Sequence, residues 1–264
     1  MARLDHYHFH SSVLPEPESR VVQVYLPPQD GWDAGRRFPV FYLQDGQNLF
    51  DEATSYQGIE WGVDEAAQKL IASGAMQPTI IVGIYNTDDR TSEFTPPIDG
   101  AKNAKGDLYV RMLVEEAKPF IDQRYRTQPD RAGTTIGGGS LGGLISLYAA
   151  KTHNDVFGGV IALSPWLRED DKSIVNDLVG DGAWLKNTRI YIDMGTDGGH
   201  NYPGGAANAI TDLRAFVAAA EKTGAAPGKT FIEREVEGDQ QNESSWHETI
   251  TQVLSTFYPA NLKD

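Results

Sequence analysis

One serine of the chain lies in a setting that favours nucleophilic chemistry. The segment Gly138-Gly139-Ser140-Leu141-Gly142 matches the pattern G-x-S-x-G, and it separates an apolar stretch, TTIG, from an amphipathic one, LISLYAA. In a turn from a strand to a helix, this pattern exposes the serine hydroxyl on a strained backbone, and small neighbours are needed to fit it. We therefore predict that Ser140 is a nucleophile and that the N–H of Leu141, at the start of the helix, stabilises an oxyanion. The alternative is a tight turn whose serine only caps the helix.

A serine nucleophile of this kind needs an acid and a base, which follow it along the chain in the order serine, acid, histidine. Asp197 is the candidate acid because it comes shortly after the apolar segment 189–194; its alternative role is to bind N–H groups of its own turn. His247, near the start of the last predicted helix, is the candidate base. His200, in a glycine-rich loop, is a second candidate base, and the remaining alternative is that no histidine serves.

The spacing of apolar residues predicts the elements that must position these groups. We predict strands over 5–13, 20–26, 38–44, 79–85, 133–138, 158–163, 189–194 and 230–236, and helices over 62–73, 107–124, 140–151, 205–223 and 243–257. The first two strands are expected to form an antiparallel hairpin, and the alternation that follows is typical of an α/β fold. The sequence therefore predicts a single domain, residues 1–264, with a mostly parallel central sheet of about eight strands and helices on both faces. In such a sheet, reactive groups belong at the carboxyl ends of the strands.

The composition argues against several classes of function. The chain has no cysteine, which excludes disulfides, thiolate nucleophiles and cysteine-bound zinc. Its 37 Asp and Glu residues against 23 Lys and Arg give a formal net charge of −14, which repels nucleic acid and anionic membranes. The N-terminal MARLDHYHFH lacks the apolar core of a signal peptide, and no apolar run reaches the about 20 residues of a membrane span. We therefore expect a cytoplasmic protein, whose oligomeric state the sequence leaves open.

Three histidines near the N-terminus resemble metal ligands. His6, His8 and His10 alternate along the first predicted strand and so share one face of it. Metal ligands must converge on one point, whereas a row along a strand does not. We therefore interpret the row as an exposed stripe and expect neither a metal nor a cofactor.

Much of the chain consists of stretches that are typical of one family. These stretches are LQDGQNLFD at 43–51, EWGVDE at 60–65, VGIYNT at 82–87, DRTSEFTP at 89–96, LVEEAKPFID at 113–122, GGGSLGGLISLY at 137–148, VFGGVIALSP at 156–165 and DMGT at 193–196. From about residue 5 to residue 259 the chain resembles the "putative esterase" family of α/β-hydrolases, which includes enterochelin, feruloyl and acetylxylan esterases, S-formylglutathione hydrolase and the antigen 85 mycolyltransferases. The resemblance implies an α/β-hydrolase fold and a serine carboxylic-ester hydrolase, which forms an acyl-enzyme on Ser140 with small or medium esters. It also implies that the region of Gln47 supplies a second oxyanion N–H.

The chain departs from that family where the acid and the base should lie. Close relatives read G-T-x-E-G after the acid-bearing strand, which would put the acid at Gly198, one position beyond Asp197. They read H-N-E-x-x-W before the last helix, which puts Gln241 at the histidine position, and glutamine cannot take a proton from a serine. The alternative function is therefore an esterase-like protein with a degenerate triad that binds a ligand with little or no turnover. In either case the expected partner is a small molecule, and we expect Trp166 and Gln241 to line its site.

Overall fold

The computed structural model describes residues 2–14, 19–28, 34–98, 101–169, 172–197, 202–225, 228, 230–240 and 242–260. The strands are β1 Arg3–Phe9, β2 Arg20–Leu26, β3 Val40–Gln44, β4 Ile80–Ile84, β5 Thr134–Gly139, β6 Gly159–Leu163, β7 Arg168–Glu169, β8 Lys172–Ser173, β9 Arg189–Gly195 and β10 Phe231–Val236. The short strands β7 and β8 pair with each other, and the other eight form one central sheet. The eight strands predicted from the sequence are thus confirmed.

The central sheet has the strand order β1-β2-β4-β3-β5-β6-β9-β10. The pairs β1–β2 and β2–β4 are antiparallel, and all other neighbouring strands are parallel. The predicted hairpin and the mostly parallel sheet are therefore confirmed. Because β3, β5, β6 and β9 are neighbours with the same direction, the loops that follow them meet at one edge of the sheet.

Helices cover both faces of this sheet. They are α1 Val63–Ala72, α2 Arg90–Phe94, α3 Gly106–Met112, α4 Lys118–Arg124, α5 Leu141–Thr152, α6 Val175–Val179, α7 Gly205–Lys222 and α8 Glu243–Phe257. On one face α1 and α8 pack together, and on the other α5 contacts α2, α3 and α6. None of the helices in the described ranges combines the length and the apolar character needed to cross a lipid bilayer.

The central strands are apolar on both sides because both faces of the sheet are covered. In β3, Phe41 and Leu43 pack in the layer that contains Trp246 of α8, whereas Val40 and Tyr42 pack in the layer that contains α5. Successive side chains of a strand point to opposite faces, so a strand covered on both sides needs an uninterrupted apolar run. This burial makes β3 and its neighbours a rigid support for the loops that follow them.

A few elements do not follow from the apolar periodicity. The helices α2 and α6 and the hairpin of β7 and β8 are too short to show a helical or a strand period. The helix predicted over 107–124 is confirmed in extent, but Leu113–Ala117 forms a π-helical turn between α3 and α4. The first strand ends at Phe9 rather than at residue 13, and beyond it the N–H of Ser12 donates to the carboxylate of Glu116 (2.9 Å).

Candidate active site

Ser140 connects β5 to α5 through a strained backbone turn. Its φ of 55° and ψ of −120° form a combination that costs a non-glycine residue about 1–3 kcal/mol. Three hydrogen bonds hold the turn: the N–H of Ser140 donates to the carbonyl of Leu163 (2.9 Å), and its own carbonyl accepts from the N–H groups of Leu144 and Trp166 (both 3.1 Å). The backbone at Ser140 is thus fixed by β6 and α5, and the side chain is half-buried.

Two glycines allow the turn to be this tight. A Cβ on Gly138 would lie 2.8 Å from the carbonyl carbon of Gly142, and a Cβ on Gly142 would lie 3.2 Å from the Cβ of Gln44. A side chain at position 138 would therefore collide with the backbone of α5. The first and last positions of G-x-S-x-G are explained by the close approach of β5, α5 and the end of β3.

Ser140 is one of three strained residues that directly follow neighbouring strands. Asp45 follows β3 with a φ of 58°, Ser140 follows β5 with a φ of 55°, and Ser164 follows β6 with a φ of 41°. The strands β3, β5 and β6 are consecutive in the sheet. Such conformations persist where the surrounding structure enforces them, and they cluster at functional sites. This edge of the sheet is therefore the candidate active site.

The two predicted oxyanion donors belong to segments at this same edge. Leu141 is the first residue of α5, so its N–H has no acceptor within the helix. Gln47 lies in the 3₁₀ turn Gly46–Asn48 after β3, and its side-chain Oε1 accepts a hydrogen bond from the N–H of Asn86 (3.2 Å). The roles of Leu141 and Gln47 as oxyanion donors stay predictions.

An ion pair between a buried carboxylate and a partly exposed guanidinium lies beside the serine turn. Asp45 accepts two hydrogen bonds from Arg90, each of 2.7 Å, and a third from Nδ2 of Asn86 (2.6 Å). Burial disfavours the charge of Arg90, but the neighbouring Asp45 raises the pKa of the guanidinium above its usual value. Oδ2 of Asp45 lies 3.4 Å from the position of a Cβ on Gly142, so the pair contacts the start of α5.

Glu243 adds a second carboxylate to this group. It is the first residue of α8 and is partly buried. Burial raises the pKa of its carboxyl, Asp45 raises the pKa further, and Arg90 acts in the opposite direction. The positions of these three residues in the chain do not indicate that they interact, although each of them lies in a stretch that matches the family pattern.

The loop after β9 meets the segment that leads into α8. Asp197 is exposed, and its carboxylate accepts a hydrogen bond from Nε2 of Gln240 (2.9 Å). The predicted acid thus contacts the segment in which the family carries its histidine. Three residues with roles in the sequence analysis lie outside the described residues: Gly198, His200 and Gln241.

His247 contacts the segment before α1 rather than the serine turn. Its Nδ1 lies 2.9 Å from the carbonyl oxygen of Glu60, and the side chain is exposed. Among the described residues, no hydrogen bond joins His247 to Ser140 or to Asp197. The geometry of α8 explains the direction of the His247 side chain. The preceding residue, Trp246, is buried, and each further residue is rotated by about 100° around the helix axis. The structure therefore does not bring Ser140, Asp197 and His247 together as a hydrogen-bonded triad.

The other described histidines lie far from Ser140. His6, His8 and His10 are on or next to β1, which is an edge strand of the sheet. His153 follows the last residue of α5, and a helix of 12 residues separates it from Ser140 by about 18 Å. Within the described ranges, no group of three or more His, Asp or Glu residues is arranged to hold a metal ion.

A buried carboxyl group supports this edge of the sheet from β9. Oδ1 of Asp193 accepts a hydrogen bond from the N–H of Ser164 (2.8 Å). Burial raises the pKa of Asp193 to about 7, although the hydrogen bond from Ser164 acts to lower it. Asp193 thus connects β9 to the strained residue that follows β6, a role that its position in an apolar run does not indicate.

A cleft of about 370 Å³ begins at the serine turn. It is lined by Thr91, Ser92, Thr95, Lys102, Asn103, Leu141, Trp166 and Glu169. Leu141 is next to Ser140 in the chain, and the ring of Trp166 packs against Tyr202 with 5.5 Å between the ring centroids. Most of the lining side chains are polar, and they include one charge of each sign. The predicted contact of Trp166 with a substrate is compatible with this position and stays a prediction.

Several known proteins are similar to this chain in sequence or in fold. Uncharacterized protein YjcH of Bacillus subtilis (strain 168) is 27% identical over 179 residues, which are 68% of this chain and 68% of that protein. Ferri-bacillibactin esterase BesA of the same organism is 28% identical over 166 residues, 56% of this chain and 54% of that protein. The solved structure of a ferulic acid esterase matches with a TM-score of 0.73 at 22% identity and covers 96% of both chains, so the α/β-hydrolase fold is confirmed. Residues 14–257 match the family described as "Putative esterase", and the chain therefore belongs to that family.

Proposed function

We propose that the protein is a serine carboxylic-ester hydrolase that forms an acyl-enzyme on Ser140. The observation that carries this proposal is the backbone of Ser140, a non-glycine residue with a φ of 55° between β5 and α5. A glycine would relieve this strain if the turn had only a structural role, and three glycines directly precede Ser140. A hydroxyl at the strained position therefore supports a chemical role for it.

The proposed reaction has two stages. Oγ of Ser140 attacks the carbonyl carbon of the ester, and the N–H groups of Leu141 and Gln47 bind the oxygen that becomes negative. Collapse of this intermediate releases the alcohol and leaves the acyl group on Ser140, from which water then releases the acid. Loss of a single preorganised oxyanion donor costs about 2.7–4 kcal/mol in well-studied hydrolases, so these two N–H groups account for a large part of the expected catalysis.

The cleft supports small or medium esters with polar substituents. The side chains of Thr91, Ser92, Thr95 and Asn103 offer hydroxyl and amide groups, and Trp166 offers an aromatic face. Two similar proteins are named as esterases, one for ferri-bacillibactin and one for ferulic acid. Both names support ester hydrolysis as the reaction class of this chain.

Hydrolysis of p-nitrophenyl acetate and p-nitrophenyl butyrate tests the proposal. Ser140→Ala is expected to lower kcat/KM by at least about 100-fold, because it removes the nucleophile. Ser255→Ala is the matched control, because Ser255 lies near the C-terminal end of α8. This variant should keep the wild-type rate. A fluorophosphonate probe should label Ser140, as located by mass spectrometry of the digested protein. Turnover by Ser140→Ala at the wild-type rate would contradict the proposal.

A protein that binds a ligand without turnover is the second candidate. It is favoured by the contact of His247 with Glu60 and by the glutamine at position 241. If it is correct, the wild-type protein hydrolyses neither ester faster than Ser140→Ala does, and Gln241→His raises the rate by about 100-fold or more by supplying a base. Wild-type turnover that depends on Ser140 would exclude this second candidate.

A further inference from the structure

We propose that Asn86 is a positioning residue that holds Gln47 in place and thereby orients the second N–H of the proposed oxyanion site. This inference rests on the proposed ester hydrolysis, because Asn86 has this role only if the N–H of Gln47 binds the oxyanion. Asn86 follows β4 by two residues, whereas Gln47 lies in the 3₁₀ turn Gly46–Asn48 after β3. Since β3 and β4 are parallel neighbours, both segments leave the sheet at the same edge.

Two hydrogen bonds connect Asn86 to this turn. Its backbone N–H donates to Oε1 of Gln47 (3.2 Å), and its side-chain Nδ2 donates to Oδ1 of Asp45 (2.6 Å). Asp45 directly precedes the turn, and its carbonyl accepts a hydrogen bond from the N–H of Asn48 (2.9 Å). Asn86 thus binds both the residue before the turn and the residue in its middle, and it fixes the turn relative to the end of β4.

Arg90 holds the other end of this connection. It donates two hydrogen bonds, each of 2.7 Å, to the carboxylate of Asp45, whose side chain is 4% exposed. A bidentate pair of this kind fixes the plane of the carboxylate, so the oxygen that accepts from Asn86 has a fixed direction. The hydrogen bonds therefore run without a break from α2 to the turn after β3.

The N–H of Gln47 is available to a ligand. Within the ranges that the structure describes, this N–H donates no hydrogen bond, whereas the carbonyl of Gln47 accepts one from the hydroxyl of Thr54 (2.7 Å). The backbone before it is packed on β4, since a Cβ on Gly46 would lie 2.5 Å from the carbonyl carbon of Gly83. A donor that the protein already holds in place costs no reorganisation when charge develops on the substrate, which is the property that an oxyanion site requires.

The ion pair explains how a carboxylate can serve as an anchor beside an oxyanion. Oδ2 of Asp45 lies 3.4 Å from the position of a Cβ on Gly142, in the first turn of α5. An unpaired carboxylate there would repel the negative charge that develops on the ester oxygen. Arg90 supplies the compensating positive charge, so the pair anchors Asn86 without adding net charge to the site. Asn86 is therefore the residue to vary, because its loss releases the turn and leaves the charges unchanged.

The test measures p-nitrophenyl acetate hydrolysis, fluorophosphonate labelling and inhibition by trifluoroacetone, whose adduct with a serine carries an oxyanion. Asn86→Ala removes the hydrogen bond to Asp45, and Gln47→Met removes the acceptor for the N–H of residue 86 but keeps the backbone N–H of residue 47. Each variant should lower kcat and raise the inhibition constant by about 10- to 100-fold, because the contacts with an oxyanion form in the transition state. KM should stay within about twofold of the wild-type value, since binding of the uncharged ester does not depend on these contacts.

Two further measurements separate positioning from a merely structural role. The rate of fluorophosphonate labelling should fall in both variants, whereas the fraction of protein labelled at the end point should equal that of the wild type. The double variant should lose little more than either single variant, because both changes release the same turn. Asn154→Ala is the matched control, since this partly buried asparagine donates to the hydroxyl of Thr188 (2.8 Å) beyond the far end of α5. It should keep the wild-type kcat and inhibition constant even where it lowers the melting temperature.

The failure of this inference can be told apart from the failure of the proposed function. If Ser140→Ala loses the activity and both Asn86→Ala and Gln47→Met keep the wild-type kcat and inhibition constant, the inference is overturned. It is also overturned if kcat falls only in proportion to the labelled fraction, or if the two losses multiply in the double variant. If Ser140→Ala keeps the activity, the proposed function itself is wrong. Should Asn86→Ala fail to fold, Gln47→Met alone decides the outcome.

Discussion

Trp246 packs its indole ring against Gly139, the residue that directly precedes Ser140. A Cβ on Gly139 would lie 2.8 Å from Cζ2 and 2.9 Å from Cε2 of Trp246. Trp246 is buried, and its ring centroid lies 5.0 Å from that of Trp61 before α1. This contact fixes the position of α8 relative to the serine turn.

Gly139→Ala should destabilise the protein by about 1–3 kcal/mol, because the added methyl group must displace a packed indole ring. The free energy of unfolding in urea measures this effect. Trp246→Leu is the matched partner, since a smaller side chain leaves room for the methyl group. The double variant should therefore lose less than the sum of the single losses, and strict additivity would show that the two residues do not interact.

Ser140→Gly should give a more stable protein than Ser140→Ala, by about 1 kcal/mol, because alanine keeps the strain at a φ of 55° and glycine does not. Ser146 in the middle of α5 is the matched control. The Ser146→Gly variant should be less stable than the Ser146→Ala variant by about 1 kcal/mol, because a helix interior disfavours glycine. Urea unfolding of the four variants measures both differences, and the same sign at both positions would argue against backbone strain at Ser140.

The sequence was sufficient to predict the serine turn because every local signal there agrees. An apolar strand, a run of glycines and an amphipathic helix follow one another, and the structure has β5, Ser140 and α5 in these places. The eight strands and the longer helices were predictable for the same reason, since both faces of the sheet are covered. The short helix α2 carries no period and was not predictable, although it supplies Arg90 to the site.

The contacts between loops could not be predicted, because periodicity says nothing about which loops meet. Arg90 and Asp45 are 45 residues apart and bind each other at an edge that only the strand order creates. The prediction for His247 depended on its distance along the chain from position 241. The helical phase of α8 decides instead where its side chain points, and a difference of one residue turns a side chain by about 100°.

Arg90→Met should destabilise the protein by about 2 kcal/mol or more, because it leaves the buried carboxylate of Asp45 without its main partner. The side chain of Asp45 is 4% exposed and that of Arg90 is 30% exposed. Arg111→Met is the matched control, since Arg111 and Glu115 form an ion pair in which both side chains are 49% exposed. That variant should change the free energy of unfolding by less than about 0.5 kcal/mol. If Arg90→Met and Arg111→Met lost equal free energies of unfolding in urea, burial of Asp45 would not explain the contribution of its ion pair.

Asp193→Asn should flatten the pH dependence of stability. In the unfolded chain this carboxyl has an ordinary pKa of about 4, whereas burial raises the pKa in the folded protein to about 7. The folded state therefore binds the proton more tightly, and the wild-type free energy of unfolding should fall as the pH rises from about 4 to about 7 and level off above. Asparagine cannot ionise but can still accept the hydrogen bond from Ser164.

Urea unfolding at pH 4.5, 6 and 7.5 measures this slope. Asp197→Asn is the control, because the carboxylate of Asp197 is exposed. Part of the slope should remain in every variant, since burial and a hydrogen bond with Glu65 also raise the pKa of Asp64 to about 7. A slope in Asp193→Asn as steep as in the wild type would mean that Asp193 is already ionised in the folded protein at the lowest of these pH values.

His247→Gln should leave kcat/KM for p-nitrophenyl acetate within about twofold of the wild type, because the imidazole contacts the carbonyl of Glu60 and not Ser140. The loss of that exposed hydrogen bond should cost at most about 1 kcal/mol of stability. His153→Gln, beyond the far end of α5, is the matched control for removal of an imidazole. A loss of about 100-fold in His247→Gln alone would mean that this histidine reaches Ser140 during turnover. In that case the order serine, acid, histidine would hold for this chain despite the glutamine at position 241.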